Sequence, residues 1–200
     1  MKYIVAILFH LTIYSCQKPK TSTYAEGLEN CNQIQEEKKR ENPNAFLFEN
    51  PDCIIGSQIP DFDAITVEGK KINRESLKGK ISIVNFWFTT CAPCVAEIPG
   101  FNSIVDKYGT NNMNYIAIGR DDNKDIKDFL HEHPWKFEHI PDGTDIIQNN
   151  FKLRWGFPTT FLLNKNAVII LAFSGGKTDS TAVAEIQKIL VPAIEKELKG

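Results

Sequence analysis

The sequence predicts an α/β fold with a central mixed sheet flanked by helices. Short apolar, β-branched stretches alternate with stretches of helical periodicity from residue 81 onward, and the chain closes with two strands and an amphipathic helix. The 200 residues are 42% apolar. This length suits one domain of about 140 residues preceded by an N-terminal extension. A net charge of −2 gives no reason to expect a nucleic-acid partner.

The first residues have the features of a targeting segment. Lys2 precedes an apolar stretch, 3–14, that is too short to span a bilayer and that ends at Ser15-Cys16. This arrangement resembles a bacterial lipoprotein signal, which implies that residues 1–15 are removed and that Cys16 becomes the lipidated N-terminus. We therefore expect an extracytoplasmic lipoprotein that faces the periplasm and is anchored to the membrane without crossing it. The alternative is an ordinary secretory peptide with an incidental cysteine.

Residues 16–58 are predicted to be an N-terminal extension or linker, in which the mixed-charge run 36–41 indicates a solvated helix face. The chain has five cysteines. With the first one lipidated and the two in segment 91–94 paired with each other, Cys31 and Cys53 remain. In an oxidising compartment, two such residues are expected to form a structural disulfide. A second redox-active pair or an interchain bond is the alternative.

Residues 59–200 form the predicted domain. It begins with a β-hairpin in which strands at 60–67 and 71–72 flank a glycine turn. The apolar run 81–88 predicts a buried central strand, and the helical pattern after it ends near Gly109. The remaining predicted elements are a strand at 113–119, a helix at 124–130, an extended segment at 135–140, strands at 159–163 and 168–174, and a helix at 181–198.

Cys91 and Cys94 lie where the central strand gives way to this helix. Pro93 is tolerated in a first helical turn, so Cys91 falls at the helix N-terminus. Free N–H groups and the helix dipole stabilise a thiolate there, and a thiolate is the attacking species in thiol–disulfide exchange. We predict that Cys91 attacks, that Cys94 resolves, and that the two form a redox-active disulfide. The alternative, a zinc site, requires four ligands, and the sequence has no second CxxC, so no metal or cofactor is expected.

Four motifs resemble the TlpA/ResA-type branch of the thioredoxin family, and the similarity covers residues 59–199. They are Phe86-Trp87, Cys91-Ala92-Pro93-Cys94, Glu97-Ile98-Pro99 and Gly156-Phe157-Pro158-Thr159-Thr160. The resemblance implies a thioredoxin-like fold and an extracytoplasmic thiol–disulfide oxidoreductase. Peroxiredoxins share the order of hairpin, strand and helix, but their motif requires Thr or Ser three residues before the reactive cysteine. This chain has Phe88 there, which disfavours a peroxidase.

The resemblance also gives a role to a carboxylate. Glu97 lies one helical turn beyond Cys94, and we expect it to accept the proton of that thiol. Asn85 occupies the strand position where thioredoxin carries a buried acid, and an amide cannot take up a proton, which shifts that duty to Glu97. The alternative is that Glu97 is a solvent-facing helix residue.

The distant Phe-Pro-Thr segment is expected to bind the substrate. By resemblance, Pro158 follows a cis peptide bond and the backbone of Phe157 pairs with the substrate. Phe157, Pro158, Thr159 and Trp87 are therefore assigned to substrate binding, although a single aromatic residue is more often core. Thr90 stands where related proteins often have tryptophan before the first cysteine, so we expect a less shielded dithiol.

We expect the protein to reduce disulfides in exported partner proteins, apocytochrome c or a similar protein among them, because the resembling branch mostly reduces. A membrane or periplasmic electron donor would restore the dithiol. An oxidase or isomerase is the alternative within enzymes, since the direction depends on relative reduction potentials. A non-catalytic lipoprotein with a locked or copper-binding cysteine pair is a further alternative. Copper carriers of this fold tend to use CxxxC and a distal histidine, and the spacing here is one residue shorter.

Overall fold

The computed structural model describes residues 21–43 and 50–199. The predicted signal segment, residues 1–15, and the predicted lipidation site, Cys16, lie outside the described residues. Within the two described ranges, no helix is both long enough and apolar enough to cross a bilayer.

The described elements follow the predicted order closely from residue 59 onward. The strands are β1 (Asp63–Ile65), β2 (Lys71–Asn73), β3 (Ile81–Trp87), β4 (Met113–Gly119), β5 (Glu138–Ile140), β6 (Thr159–Leu163) and β7 (Ile169–Ser174). The α-helices are α1 (Tyr24–Glu41), α2 (Arg74–Leu77), α3 (Ala92–Tyr108), α4 (Asn123–Glu132) and α5 (Ala182–Lys199). A turn of 3₁₀ helix covers Pro51–Ile54, and a π-helical turn covers Ile146–Asn150.

β3 is the centre of a five-stranded sheet with the order β5-β4-β3-β6-β7. β4 runs parallel to β3 and β5 runs parallel to β4, whereas β6 is antiparallel to β3 and β7 is antiparallel to β6. All seven residues of β3 are buried, because the strand is covered on both faces, and this explains its nearly continuous apolar sequence. β1 and β2 form a separate two-stranded antiparallel sheet.

Helices cover both faces of the main sheet. On one face, α3 and α5 pack together and contribute Phe101 and Leu190 to an apolar cluster with residues of β3. On the other face, α1 and the 3₁₀ turn contribute Tyr24 and Ile54 to a second cluster, which includes Phe161 of β6. The predicted central mixed sheet flanked by helices is therefore confirmed.

The described residues before residue 59 pack against this second cluster. α1 begins with a capping box, in which the Thr23 hydroxyl accepts the N–H of Glu26 and the Glu26 carboxylate accepts the N–H of Thr23. A disulfide joins Cys31 of α1 to Cys53 of the 3₁₀ turn. The full extent of α1 was missed because the helix is mostly exposed and polar. Its buried residues are Tyr24, Gly27 and Cys31.

Candidate active site

Cys91 and Cys94 lie at the junction between β3 and α3. Cys91 is the N-cap residue of α3. Its N–H donates to the carbonyl of Phe88 at 3.1 Å, and its own carbonyl accepts the N–H of Val95 at 3.0 Å. The two cysteines form a disulfide, with their Cα atoms 5.3 Å apart. The structure thus holds the pair in the oxidised form, at the end of the helix where the dipole favours a thiolate after reduction.

Both sulfurs are shielded, although the sequence predicted less shielding. Cys91 is 5% exposed and Cys94 is 1% exposed. The half-buried rings of Phe88 and Phe157 pack against the cluster that contains both cysteines, with their centroids 5.4 Å apart. The lack of a tryptophan at Thr90 therefore does not leave the two cysteines exposed, and both belong to the buried cluster against which these two rings pack. Of the two residues, Cys91 has the larger exposed fraction.

The Phe157–Pro158 peptide bond is cis, as the resemblance implied. The loop that contains it is fixed by hydrogen bonds on both sides. The Pro158 carbonyl accepts the N–H of Gly175 at 2.9 Å, and the Thr159 hydroxyl donates to the carbonyl of Gly156 at 2.8 Å. The Thr159 side chain is fully buried. It therefore holds the loop in place, while the half-buried ring of Phe157 faces the dithiol cluster.

Glu97 is a buried carboxyl group beside the dithiol, not a solvent-facing residue. Its exposure is 2%, and Oε2 has no hydrogen-bond partner among the described residues. A Cβ built on Gly176 would lie 2.4 Å from Glu97 Oε1 and 3.2 Å from Pro158 Cγ. The carboxyl therefore lies against the loop that follows β7, next to the cis-proline. Burial, and to a lesser degree the charge of Glu185, raises the pKa of Glu97 to about 8.

Asn85 lies in the middle of β3, where it is 1% exposed. Its Nδ2 donates to the hydroxyl of Thr160 at 2.9 Å across the β3–β6 pair, and its Oδ1 has no hydrogen-bond partner among the described residues. The amide bridges two strands and cannot take up a proton. Glu97, with its pKa raised to about 8, is therefore the buried side chain of this site that can take up a proton in place of Asn85.

The assignment of Trp87 to substrate binding is corrected by its burial. The side chain has no exposed surface, and its ring packs against Phe129, Trp135 and His139. His139 is itself fully buried, and burial lowers its pKa to about 4. The ring of Trp87 therefore fills the core behind the dithiol and does not form part of the surface that a substrate meets.

Two residues at the end of β4 were missed. The N–H of Arg120 donates to the carbonyl of Trp87, and its guanidinium lies 5.6 Å from the ring centroids of both Phe88 and Phe157. The carboxylate of Asp121 accepts the N–H of Thr89 at 2.6 Å, which fixes the turn before Cys91. Because β3 and β4 are parallel, their carboxyl ends meet at one sheet edge. This rule, applied to the predicted strand 113–119, would have found both residues.

Within the described ranges, no group of three or more His, Cys, Asp or Glu residues is arranged to hold a metal ion. The site itself combines two cysteine sulfurs, one buried carboxyl group and an aromatic rim with an adjacent cation. This set suits thiol–disulfide exchange, in which one sulfur must be reachable and a proton must be accepted nearby.

Comparisons with known proteins agree with this chemistry. The AhpC/TSA family profile matches residues 55–172. The chain is 34% identical to a thiol-disulfide oxidoreductase ResA of Bacillus cereus over 146 residues, which cover 72% of this chain and 83% of that protein.

Two solved structures share the fold. One is a thiol:disulfide interchange protein of the thioredoxin family from Chlorobium tepidum, with a TM-score of 0.55, 23% identity, and coverage of 70% of this chain and 95% of that one. The other is a secreted Mycobacterium tuberculosis disulfide oxidoreductase homologous to E. coli DsbE, with a TM-score of 0.55, 20% identity, and coverage of 66% and 95%. The fold is thioredoxin-like.

Proposed function

This chain belongs to the AhpC/TSA family, and we propose that it is a thiol–disulfide oxidoreductase that reduces disulfides of other proteins through Cys91 and Cys94. One observation carries the proposal: the Cys91–Cys94 disulfide caps α3, and the buried carboxyl of Glu97 lies one helical turn beyond it. The similarity to proteins named thiol-disulfide oxidoreductase supports the same reaction class.

The first step forms a mixed disulfide. In the reduced enzyme, the Cys91 thiolate attacks one sulfur of the substrate disulfide. A bond forms between Cys91 and that sulfur, the substrate S–S bond breaks, and the other substrate sulfur leaves as a thiolate that takes up a proton. The helix N-terminus stabilises the attacking thiolate, because the first N–H groups of α3 have no partners within the helix.

The second step returns the enzyme to its disulfide form. Cys94 attacks the sulfur of Cys91, the Cys91–Cys94 bond forms, and the remaining substrate sulfur leaves as a thiolate. The proton of Cys94 passes to the Glu97 carboxylate, whose raised pKa suits proton exchange near neutral pH. The substrate gains two electrons, and an external electron donor must reduce Cys91–Cys94 before the next turnover.

The substrate backbone is proposed to lie along Phe157, whose ring forms the rim of the site with Phe88 and Arg120. Thr159 and Trp87 support this surface from the interior and do not contact the substrate, because both side chains are buried. Pro158 and the Glu97 carboxyl lie side by side against Gly176. In the proposed complex, the substrate peptide lies over the exposed part of Cys91.

An insulin-reduction assay with dithiothreitol tests the function. The wild-type protein is expected to accelerate insulin precipitation, a Cys91→Ser variant to give only the background rate, and a Cys94→Ser variant to accumulate a mixed disulfide. No acceleration by a folded wild-type protein would contradict the proposal. A reduction potential well above that of exported partner disulfides would favour the oxidase or isomerase alternative.

We further propose the organisation and location that the sequence predicts: a signal segment at 1–15, lipid on Cys16, an extension at 16–58, and a catalytic domain at 59–200 that faces the periplasm. The Cys31–Cys53 disulfide supports an oxidising compartment. Exported proteins, apocytochrome c among them, would be the substrates. Membrane fractionation of a Cys16→Ser variant tests the anchor, which is refuted if that variant stays with the membrane. Proteins trapped by Cys94→Ser identify the partners.

A further inference from the structure

A cavity of about 260 Å³ lies beside the buried carboxyl of Glu97. Its walls come from α3, from the loop after β7 and from the first turns of α5, and they include Ser174, Gly176, Lys177 and Glu185. The Glu97 side chain is almost completely buried, and its Oε2 has no hydrogen-bond partner among the described residues. A buried acid without a partner is costly unless its proton can move or water can reach it.

We propose that Glu97 exchanges its proton with solvent through this cavity, and that the Lys177–Glu185 ion pair in the cavity wall sets how strongly negative charge acts on the Glu97 carboxyl. The proposal rests on the proposed function and deepens it, since it concerns the proton released in the second step. Lys177 and Glu185 are positioning residues here, because neither touches the cysteine sulfurs.

The ion pair bridges two elements around the cavity. Lys177 Nζ lies 2.7 Å from Glu185 Oε2, and the side chains are 51% and 43% exposed, so the pair meets solvent on its outer side. On the inner side, the charge of Glu185 acts on the Glu97 carboxyl and raises its pKa. Lys177 opposes that effect, because its cation lies against Glu185 and screens its charge.

Among the described residues, the charge that acts on the Glu97 carboxyl is that of Glu185. β3, β6 and β7 carry no charged residue, and Glu97 is the charged residue of the segment from Cys91 to Pro99. Asp179 lies near Lys177, and hydrogen bonds from Thr181 lower its own pKa. The titratable groups around the carboxyl are therefore the Cys94 thiol within α3 and the charged residues at the cavity.

Gly176 keeps the carboxyl open to the cavity. A Cβ at this position would lie 2.4 Å from Glu97 Oε1, so any side chain would press directly on the carboxyl oxygen. After Cys94 gives its proton to Glu97 and closes the disulfide with Cys91, the neutral carboxyl can pass that proton along this opening to solvent. The carboxylate is thereby restored for the next turnover.

The test uses the reduced, full-length protein and the small disulfide DTNB (5,5′-dithiobis-2-nitrobenzoate). The first equivalent of coloured thiolate reports the attack of Cys91, and the second reports the attack of Cys94. The second phase should accelerate with pH through the pKa of Glu97. Glu185→Gln removes an acidic charge, so this rise should move to lower pH. Lys177→Gln leaves Glu185 unscreened, so the rise should move to higher pH. At pH 7, each change should alter the second phase about two- to threefold, in opposite directions.

Glu195→Gln is the matched control, because Glu195 also lies on α5 and is paired with a lysine, Lys107, at 2.8 Å. It should leave the pH profile unchanged. In a Glu97→Gln background, neither cavity variant should move the second phase further. The inference is overturned if Glu185→Gln and Lys177→Gln shift the profile in the same direction, leave it unchanged, or still shift it without Glu97. Absence of the first phase would instead refute the proposed function.

Discussion

The Cys31–Cys53 disulfide joins positions 22 residues apart, whereas the Cys91–Cys94 disulfide joins positions three residues apart. Cys31 lies inside α1, several residues from its first turn, and packs in an apolar cluster with Tyr24. Cys91 caps the N-terminus of α3, close to a buried carboxyl and a cis-proline loop. Position in a helix and a nearby proton acceptor, more than the bond itself, are thus the features expected to make a disulfide reactive.

The largest expected effect is on enzymatic activity, which should depend on the Cys91–Cys94 pair. A Cys91→Ser substitution should reduce insulin reduction to the uncatalysed background, because it removes the attacking thiolate and Cys91 is the described cysteine that forms the N-cap of a helix. Its free energy of unfolding should change little, since a disulfide that closes only a short loop restricts the unfolded chain least. The assay is insulin turbidity together with urea unfolding. Substantial residual activity in this variant would contradict the assignment of Cys91 as the attacking cysteine.

The second-largest effect is expected at Glu97, whose carboxyl lies beside the Cys91–Cys94 pair. Glu97→Gln should slow the resolving step on the order of 100-fold near neutral pH and remove its rise through about pH 8. Stopped-flow release of thiolate measures this step, and Glu195→Gln is the control. An unchanged pH–rate profile would exclude Glu97 from proton transfer.

The same substitution has a stability signature. The pKa of Glu97 is raised in the folded protein from its usual 4.5 to about 8, so between these values the folded state binds a proton that the unfolded state lacks. Wild-type stability should therefore fall as pH rises through this window, and Glu97→Gln should flatten that dependence. Urea unfolding at pH 5 and pH 8 checks the sign. An unchanged slope in the variant would assign the dependence to other groups.

The third prediction is the opposite of the first, because stability should fall while activity is kept. Replacing both Cys31 and Cys53 by serine should lower the free energy of unfolding by about 3 kcal/mol, because the unfolded chain regains the freedom of a long loop. The value of kcat/KM for insulin should remain that of the wild type, since this bond and the CxxC turn belong to different apolar clusters. Urea unfolding and the insulin assay measure the two quantities. A loss of activity at temperatures where the variant is folded would contradict the structural role.

The smallest effect lies at the rim of the reactive pair. Arg120→Gln should raise KM for a protein substrate about two- to fivefold and leave kcat unchanged, because the guanidinium stacks on Phe88 and Phe157 and shapes the surface that meets a partner. Lys124→Gln, an exposed lysine of α4 paired with Asp128, is the control. A change in kcat without a change in KM would remove Arg120 from the binding surface.

The sequence predicted the elements with a strong local pattern. β4 and β6 have the predicted bounds, and β3 differs by one residue, because each is a short apolar run. α1 was not delimited, since few of its residues are buried and its position depends on a disulfide and on contacts distant in sequence. The π-helical turn at 146–150 has no periodicity that distinguishes it from a loop.

The residues of the candidate site also fall into two groups: those that belong to a local sequence motif and those that only the fold brings together. The cysteines, Glu97 and Pro158 belong to local motifs, so the sequence could single them out. Gly176 and Glu185 approach Glu97 from about 80 to 90 positions away in the chain, and only tertiary packing brings them together. The role of Trp87 was misjudged because an aromatic residue at the end of a central strand has the same sequence signature whether its ring packs in the core or at the surface.

A glutathione redox titration of the wild-type protein, read by mass mapping of each cysteine pair, tests whether Cys91–Cys94 is the redox-active disulfide and Cys31–Cys53 the structural one. We expect Cys91 and Cys94 to convert to thiols at glutathione ratios where Cys31 and Cys53 remain bonded. Reduction of both pairs together, or of the Cys31–Cys53 pair first, would contradict it.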